Sequence, residues 1–209
     1  MSNYRYRTLR RPVRAKFSVK GSRFIGSAAP VADEEAARKF ITRVEEEFPD
    51  ATHHAHAYRI GTGSSLVERS FDAREPAGTA GLPMLQLLQH GDLSGLVVVG
   101  TRYFGGTKLG IGGLTRAYRH CARACIEAGE LVEREELSYC CLIVSYEAMG
   151  ALLRQLETLQ GVVVGTDYGS EVSITAALPR SAVGEMKKRL QEISRGSGRW
   201  EALKGPPGS

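Results

Sequence analysis

The sequence has few aromatic residues and no long apolar run. Only 7% of its 209 residues are aromatic, and it holds one tryptophan. No apolar run approaches the roughly 20 residues that a membrane helix needs, and no apolar segment follows the basic amino terminus, which argues against a secretory signal. We therefore expect a cytoplasmic globular protein with no membrane partner, whose core consists mainly of Val, Leu, Ile and Ala.

Cysteine is scarce and its spacing does not suggest a metal site. The four cysteines are Cys121, Cys125, Cys140 and Cys141. None belongs to a Cys-x-x-Cys pair with a second pair downstream, which structural zinc sites use. We expect buried thiols in a reducing compartment, with no disulfide, metal or cofactor.

No complete catalytic signature is present. The sequence has no Gly-x-Ser-x-Gly, no His-Glu-x-x-His and no cysteine with an identifiable histidine partner. Weak candidates lie in a polar loop over residues 72–81, where Asp72 or Glu75 would act as a general base and Gly78 and Thr79 would complete the site. Whether the protein is an enzyme stays open at this point, and the sequence leans against it.

Acidic residues are absent before Asp33, whereas eight basic residues occur there. Residues 1–134 hold 20 Lys and Arg against 14 Asp and Glu, while residues 135–209 hold 8 against 9. The first twelve residues form a basic arm that would attract polyanions in a salt-dependent manner. A solvated arm without a partner is an equally good interpretation.

Hydrophobic periodicity divides the chain into two domains. In residues 1–134 it predicts strands near 13–21, 24–31, 54–61, 66–71 and 96–99, a helix between Asp33 and Pro49, and further helices at 83–90 and 114–128. A charged link at 130–136 follows. Residues 135–204 then show the order β-α-β-β-α-β of a ferredoxin-like domain, and residues 205–209 are predicted to be a disordered tail.

A glycine-rich segment connects the strand near residue 99 to the helix at 114–128. Gly105, Gly106, Gly110, Gly112 and Gly113 provide five glycines in eleven residues. Backbone amides at the start of the helix would bind an anion, assisted by Lys108 and Arg116. The spacing matches neither the P-loop nor the dinucleotide motif. The alternative is that the glycines permit close packing of helix and strand.

Basic residues recur at spacings of three and four along the same helix. Arg116, Arg119, His120 and Arg123 share one face, and Arg102 precedes the glycine segment. Together they would follow the phosphates of RNA. A solvated helix face is the alternative.

Three histidines, His53, His54 and His56, suggest a metal site at first sight. His54 and His56 share one face of a predicted strand, but no Asp, Glu or Cys lies nearby in the sequence. Histidines that form hydrogen bonds within the sheet are the preferred interpretation, and we predict no metal site.

The sequence resembles the YigZ/IMPACT family over nearly its whole length. The resemblance rests on four stretches, of which the last is the most specific: residues 22–25 (Ser-Arg-Phe-Ile), 52–58 (Thr-His-His-Ala-His-Ala-Tyr), 75–81 (Glu-Pro-Ala-Gly-Thr-Ala-Gly) and 102–118, which contains Arg-Tyr-Phe-Gly-Gly-Thr-Lys-Leu-Gly. Residues 13 to about 129 are similar to the IMPACT domain, and about 138–203 to the small carboxy-terminal domain of bacterial members.

The resemblance implies an α+β protein. Its amino-terminal domain would have the ribosomal protein S5 domain 2-like fold, and its carboxy-terminal domain would be ferredoxin-like. Eukaryotic IMPACT proteins regulate translation by binding partner proteins, and the ribosome-associated folds of the family suggest nucleic-acid binding. The positions carried over from the family signature are Glu75, Pro76, Gly78, Thr79, Gly81, Arg102, Tyr103, Gly105, Gly106, Lys108, Gly110, Gly113 and Arg116.

The chain departs from the family pattern at two places. The polar loop of relatives usually reads Asp-Asp-Gly-Glu-Pro, whereas residues 72–76 here read Asp-Ala-Arg-Glu-Pro. One carboxylate is lost and a cation is gained, which weakens an acid/base or metal role. Ala55 stands where relatives often have cysteine, so a thiol function is not carried over.

Two functional hypotheses follow from these observations. The first is a non-enzymatic translation regulator that binds RNA, the ribosome or a regulatory protein through the basic surface around residues 105–113. The second is an enzyme or binding protein for a phosphorylated small molecule or nucleotide, in which the glycine segment holds the phosphate and the polar loop supplies the base. The second predicts a concave site between these two loops.

Overall fold

The computed structural model describes residues 4–203 and 205. Its contacts separate two compact units, which divide between Arg134 and Glu135. The predicted disordered tail, residues 205–209, lies outside the described residues except for residue 205. Within the described residues no helix is long and apolar enough to cross a membrane.

A five-stranded antiparallel sheet forms the centre of the first unit, with the strands in the order Val13–Val19, Ser22–Pro30, Leu96–Tyr103, His53–Ile60 and Val67–Phe71. The elements of this sheet and its helices are β2 (Val13–Val19), β3 (Ser22–Pro30), α1 (Glu34–Glu47), β4 (His53–Ile60), β5 (Val67–Phe71), α2 (Gly81–His90), β6 (Leu96–Tyr103) and α3 (Ile111–Ala128). Short 3-10 turns are left out of this numbering.

Helices cover both faces of this sheet. Side chains of α2 and α3, including Met84, Leu88 and Tyr118, pack on one face, and α1 packs on the other through Phe40 and Val44. The central strand β6 is buried on both faces, which explains why the sequence is continuously apolar from Leu96 to Val99. Asp33 caps α1 through a 2.7 Å hydrogen bond from the Ala36 amide, as its sequence predicts.

A further strand pair involves the basic amino-terminal segment. Strand β1 (Arg5–Leu9) pairs with β7 (Leu131–Glu135) in a two-stranded sheet. Thr8 and Leu9 are buried, and Arg10 forms an ion pair with Glu130 at 2.8 Å. The prediction of a basic arm over residues 1–12 is therefore wrong for residues 5–9, and the predicted charged link contains a strand.

The second unit has the ferredoxin-like order. Its elements are β8 (Leu137–Val144), α4 (Tyr146–Thr158), β9 (Val162–Tyr168), β10 (Val172–Pro179), α5 (Val183–Ile193) and β11 (Arg199–Leu203). The antiparallel sheet has the order β11-β8-β10-β9, and Leu152, Leu156, Met186 and Leu190 of the two helices pack on one face of it. The predicted α+β class, with an amino-terminal domain followed by a carboxy-terminal one, is confirmed.

Candidate nucleic-acid interface

A buried ion pair joins the polar loop to the end of β6. The Nη1 atom of Arg102 donates hydrogen bonds of 2.8 and 3.1 Å to the two carboxylate oxygens of Glu75. The side chains expose only 5% and 3% of their surface. Charges removed from water in this way need partners, because an unpaired buried charge is costly.

Tyr118 of α3 completes the network around Glu75. Its hydroxyl donates a 2.7 Å hydrogen bond to Glu75 Oε1, and His53 Nε2 lies 3.8 Å from the same oxygen. Two causes raise the pKa of the Tyr118 hydroxyl far above its usual range: burial, which is the larger, and the nearby negative charge of Glu75. The phenol therefore stays protonated near neutral pH, where it donates its hydrogen bond to Glu75.

This arrangement corrects two predicted site residues. Arg102 was predicted to contact phosphate, but its guanidinium is buried, bonded to Glu75, and placed 5.6 Å from the Phe24 ring and 5.4 Å from the Phe104 ring. Glu75 was a candidate base, but Arg102 and Tyr118 occupy its oxygens. Both side chains hold the loops together and do not face a ligand.

Asp72, the other candidate base, organises the polar loop. Its Oδ1 accepts hydrogen bonds from the amides of Ala80 (3.0 Å) and Gly81 (2.8 Å), and its Oδ2 accepts one from Gly78 (2.8 Å). Thr79 is buried, and its hydroxyl donates to the Pro76 carbonyl at 2.6 Å. The carboxylate thus closes the loop onto the start of α2, which does not fit the role of a base.

The glycine segment begins with a close approach between two turns. A Cβ atom on Gly105 would lie 1.9 Å from the carbonyl carbon of Gly21, so only glycine fits there. The Gly105 amide donates to Ser22 Oγ at 3.1 Å, and Arg102 Nη2 donates to the same oxygen at 3.3 Å. For Gly105 the packing interpretation is the correct one, and its amide is not available to an anion.

The remaining glycines lead into α3. Gly106 and Gly110 have positive φ angles of 83° and 72° and open space beside them, so they serve the backbone conformation. The helix begins at Ile111, one turn before the predicted start, and therefore includes Gly112 and Gly113. Within the described chain its amino terminus has no side-chain cap and no acidic residue in the first turn. Three helix amides at this end are orphan donors next to the exposed Lys108.

An exposed cationic surface extends from this end of α3. We use the term cationic surface for Lys108, Arg116, Arg119 and Arg123, all of which are exposed. Arg119 donates to the side-chain oxygen of Gln86 at 3.2 Å. Among residues 4–203, none of the four lies within ion-pair distance of a carboxylate, whereas other arginines of this unit do. Those paired arginines include Arg10, Arg14, Arg38, Arg59 and Arg102.

A small groove lies between β2 and the first half of α3. Its volume is about 190 Å³, and Arg116 and His120 of α3 line it together with the end of β2. The groove is not the concave site predicted between the polar loop and the glycine segment, because no residue of the polar loop lines it. The two predicted bases, Asp72 and Glu75, are both occupied by hydrogen bonds within the protein, so the catalytic site expected for a phosphorylated metabolite lacks its base.

The three histidines occupy two faces of the sheet. The ring nitrogens of His54 lie 3.1 Å from Thr101 Oγ1 and 3.0 Å from the Phe48 carbonyl, which confirms the predicted hydrogen bonds. His56 is different, because its Nδ1 is buried with no partner among the described residues and its pKa is lowered by that burial. No group of three His, Cys, Asp or Glu in the described part of the chain is arranged to hold a metal ion.

Comparison with known proteins places the chain in a family. The Impact N-terminal domain matches residues 20–126, and a domain of unknown function (DUF1949) matches residues 142–197. The chain is 34% identical to the IMPACT family member YigZ of Escherichia coli, over 89% of this chain and 92% of that protein. It is 30% identical to the Bacillus subtilis member YvyE over 91% and 88%. The chain belongs to the YigZ/IMPACT family.

A solved structure agrees with this assignment. A crystal structure described as that of a hypothetical protein is 32% identical, covers 98% of both chains and superimposes with a TM-score of 0.74. The two bacterial relatives and this solved structure all align over most of the chain.

Sequence reasoning missed several residues of the site. Ser22 and Tyr118 belong to the family motifs, but nothing in their local pattern indicates that they contact Arg102 and Glu75. The sequence predicts a strand near 13–21 but does not indicate that Phe17, Val19 and Lys20 line a groove. Contacts between segments more than 40 residues apart leave no periodic signal in a single sequence.

Proposed function

We propose that this protein is a non-enzymatic regulator associated with translation that binds RNA, free or in the ribosome, through the cationic surface. The observation that carries the proposal is the exposure of Lys108, Arg116, Arg119 and Arg123 with no carboxylate partner in the described residues. The resemblance to IMPACT proteins, whose eukaryotic members regulate translation, supports the translation context.

The arrangement of these charges suits a phosphate backbone. Arg116, Arg119 and Arg123 recur at three- and four-residue spacings on one side of α3, so they form a row along the helix. The buried network of Arg102, Glu75 and Tyr118 links the middle of α3 to the polar loop and to β6. A row of exposed cations without carboxylate partners binds phosphates without sequence preference and with strong salt dependence.

The test is the affinity for RNA across a salt series. Fluorescence anisotropy of a labelled single-stranded RNA would be measured for the wild type and for the triple variant Lys108→Ala, Arg116→Ala, Arg119→Ala. If the three side chains each contact one phosphate, the slope of log affinity against log salt should become shallower by about 2 for a single strand. Affinity at low salt should fall strongly.

A matched control removes three exposed cations elsewhere. Arg43, Arg154 and Lys188 are exposed, and replacing all three by alanine changes the net charge equally. The control variant should retain most of the affinity. If both triple variants lose affinity equally, only net charge matters and the cationic surface is not the site. If RNA does not bind even at low salt, while a protein partner is retained after nuclease treatment, the IMPACT-like role in protein binding replaces this proposal.

A second candidate function rests on the uncapped start of α3. Three free amides beside Lys108 fit one phosphate group of a small molecule or nucleotide. A thermal-shift screen of nucleotides and sugar phosphates tests this candidate, since a ligand at about 100 times its dissociation constant adds roughly 2.7 kcal/mol of stability. A screen without any rise in melting temperature would rule against it.

A further inference from the structure

The groove between β2 and α3 combines an apolar floor with a cationic rim. Its floor consists of Phe17, Val19, Leu109 and Ala117, and its rim carries the basic side chains Lys20 and Arg116. His120 forms one wall, with its ring edge-on to the Phe17 ring at a centroid distance of 4.5 Å. An aromatic and apolar cleft between two cations is complementary to a flat, neutral ring attached to an anion.

The size of the groove restricts the occupant further. Its volume is about 190 Å³, whereas sites for whole small-molecule ligands usually measure about 300–1,000 Å³. The groove therefore has room for one ring system and leaves the rest of the ligand outside. The cations of the rim then face the part of the ligand that stays on the surface.

We propose that the groove receives one unpaired base of single-stranded RNA, while the adjoining phosphates lie on Lys20 and Arg116. This inference rests on the proposed RNA-binding function and names the form of RNA that is bound. From Arg116 the strand continues along Arg119 and Arg123, because these side chains follow on the same helix. Stacking of unpaired bases on aromatic side chains next to a cationic track is how single-stranded sites are commonly built.

The same geometry disfavours two other occupants. A base in an RNA duplex is stacked and paired, so it cannot enter the groove without being unpaired first. An acidic peptide would also place an aromatic side chain in the groove, but it would need an acidic residue opposite each successive cation. A nucleic-acid strand supplies a phosphate at every step.

The experiment separates the base from the backbone. Anisotropy would be measured with three labelled probes: a single-stranded RNA, the same strand with abasic sites throughout, and its duplex. The abasic strand keeps every phosphate, so a difference between the two single strands reports on the bases alone. We expect the abasic strand to bind at least about fivefold more weakly than the intact strand, which is the lower end of the range for one stacked base.

Two groove variants locate the effect. In His120→Ala the exposed ring that forms one wall is removed, and in Phe17→Leu the apolar packing is retained without the aromatic ring. Both should bind the intact strand about as weakly as the abasic one, and their melting curves will show that they are folded. His90→Ala, which removes an exposed histidine from α2, is the matched control and should behave as the wild type.

The outcomes distinguish this inference from the proposed function. If all three RNA probes bind equally and with a steep salt dependence, the RNA function stands but the base does not enter the groove. If no probe binds at low salt, both are overturned. If an acidic peptide with one aromatic residue binds and is weakened by His120→Ala while RNA is not, the groove is a peptide site.

Discussion

Arg102 and Glu75 are linked by two hydrogen bonds of 2.8 and 3.1 Å, and each side chain exposes 5% of its surface or less. The two residues come from different segments, so the pair fixes the polar loop to β6 and, through Ser22, to the glycine segment. The ion pair therefore holds in place the loops that border the cationic surface.

Removing one member of this pair should destabilise the fold. Glu75→Ala leaves the guanidinium of Arg102 and the hydroxyl of Tyr118 without their buried acceptor, and we expect the free energy of unfolding to fall by about 3–5 kcal/mol. Urea denaturation followed by circular dichroism will measure it. The double variant Glu75→Leu, Arg102→Met should recover part of the loss. A loss no greater than that of Glu47→Ala, which breaks the partly exposed pair with Arg14, would contradict this role.

The glycine segment should respond oppositely at two positions. Gly105→Ala forces a methyl group into the backbone of Gly21 and should cost about 1–3 kcal/mol of stability. Gly112→Ala lies in α3, with Arg116 Nη1 at 3.4 Å from the added methyl group, and should raise stability by up to about 1 kcal/mol. Thermal melts of the two variants provide the comparison. Equal losses in both would show that the Gly21 contact is not the cause.

Arg74 stands in a left-handed backbone conformation with φ = 68°. Relatives usually have glycine at this place in the loop, and glycine adopts positive φ without steric cost. We expect Arg74→Gly to stabilise the protein by about 1 kcal/mol. Arg74→Ala removes the same charge but retains the strain, so it serves as the control. If both variants change stability equally, the charge and not the conformation is responsible.

Buried thiols should make the protein less stable in alkaline solution. Burial raises the pKa of Cys125 to about 11 and that of Cys140 to about 12, against about 8.5 in an unfolded chain. Above about pH 8.5 the unfolded chain loses thiol protons that the folded protein keeps, so the unfolding free energy falls as the pH rises towards these values. Urea unfolding at several alkaline pH values will show a smaller fall for Cys140→Ala. An unchanged slope in that variant would exclude Cys140 as a source.

Local patterns predicted most of the secondary structure, because the core faces of helices and strands repeat at fixed spacing. Val97, Val98 and Val99 mark the central strand, and the helix after Asp33 is recognisable from its cap and its apolar stripe. The ferredoxin-like order of the second unit followed from the same signals.

The failures have a common physical cause. Strands β1 and β7 are short, carry alternating charges and lie more than 120 residues apart, so neither shows a buried pattern by itself. Within the site, exposure separates the arginines that can contact a ligand from those that cannot. Arg102 and Arg116 look alike in the sequence, but Arg102 is buried against Glu75 whereas Arg116 is exposed. Burial depends on the tertiary contacts, which spacing along the chain does not encode.

The pairing of β1 with β7 has a consequence for synthesis. During synthesis Arg5–Leu9 can pair with β7 only after Leu131–Glu135 has left the ribosome. A chain that stops short of residue 131 exposes the edge of Arg5–Leu9 that pairs with β7 and keeps only the contacts on its other side, such as the bridge from Arg7 to Leu93. The first unit can therefore be completed only when synthesis has reached the beginning of the second unit.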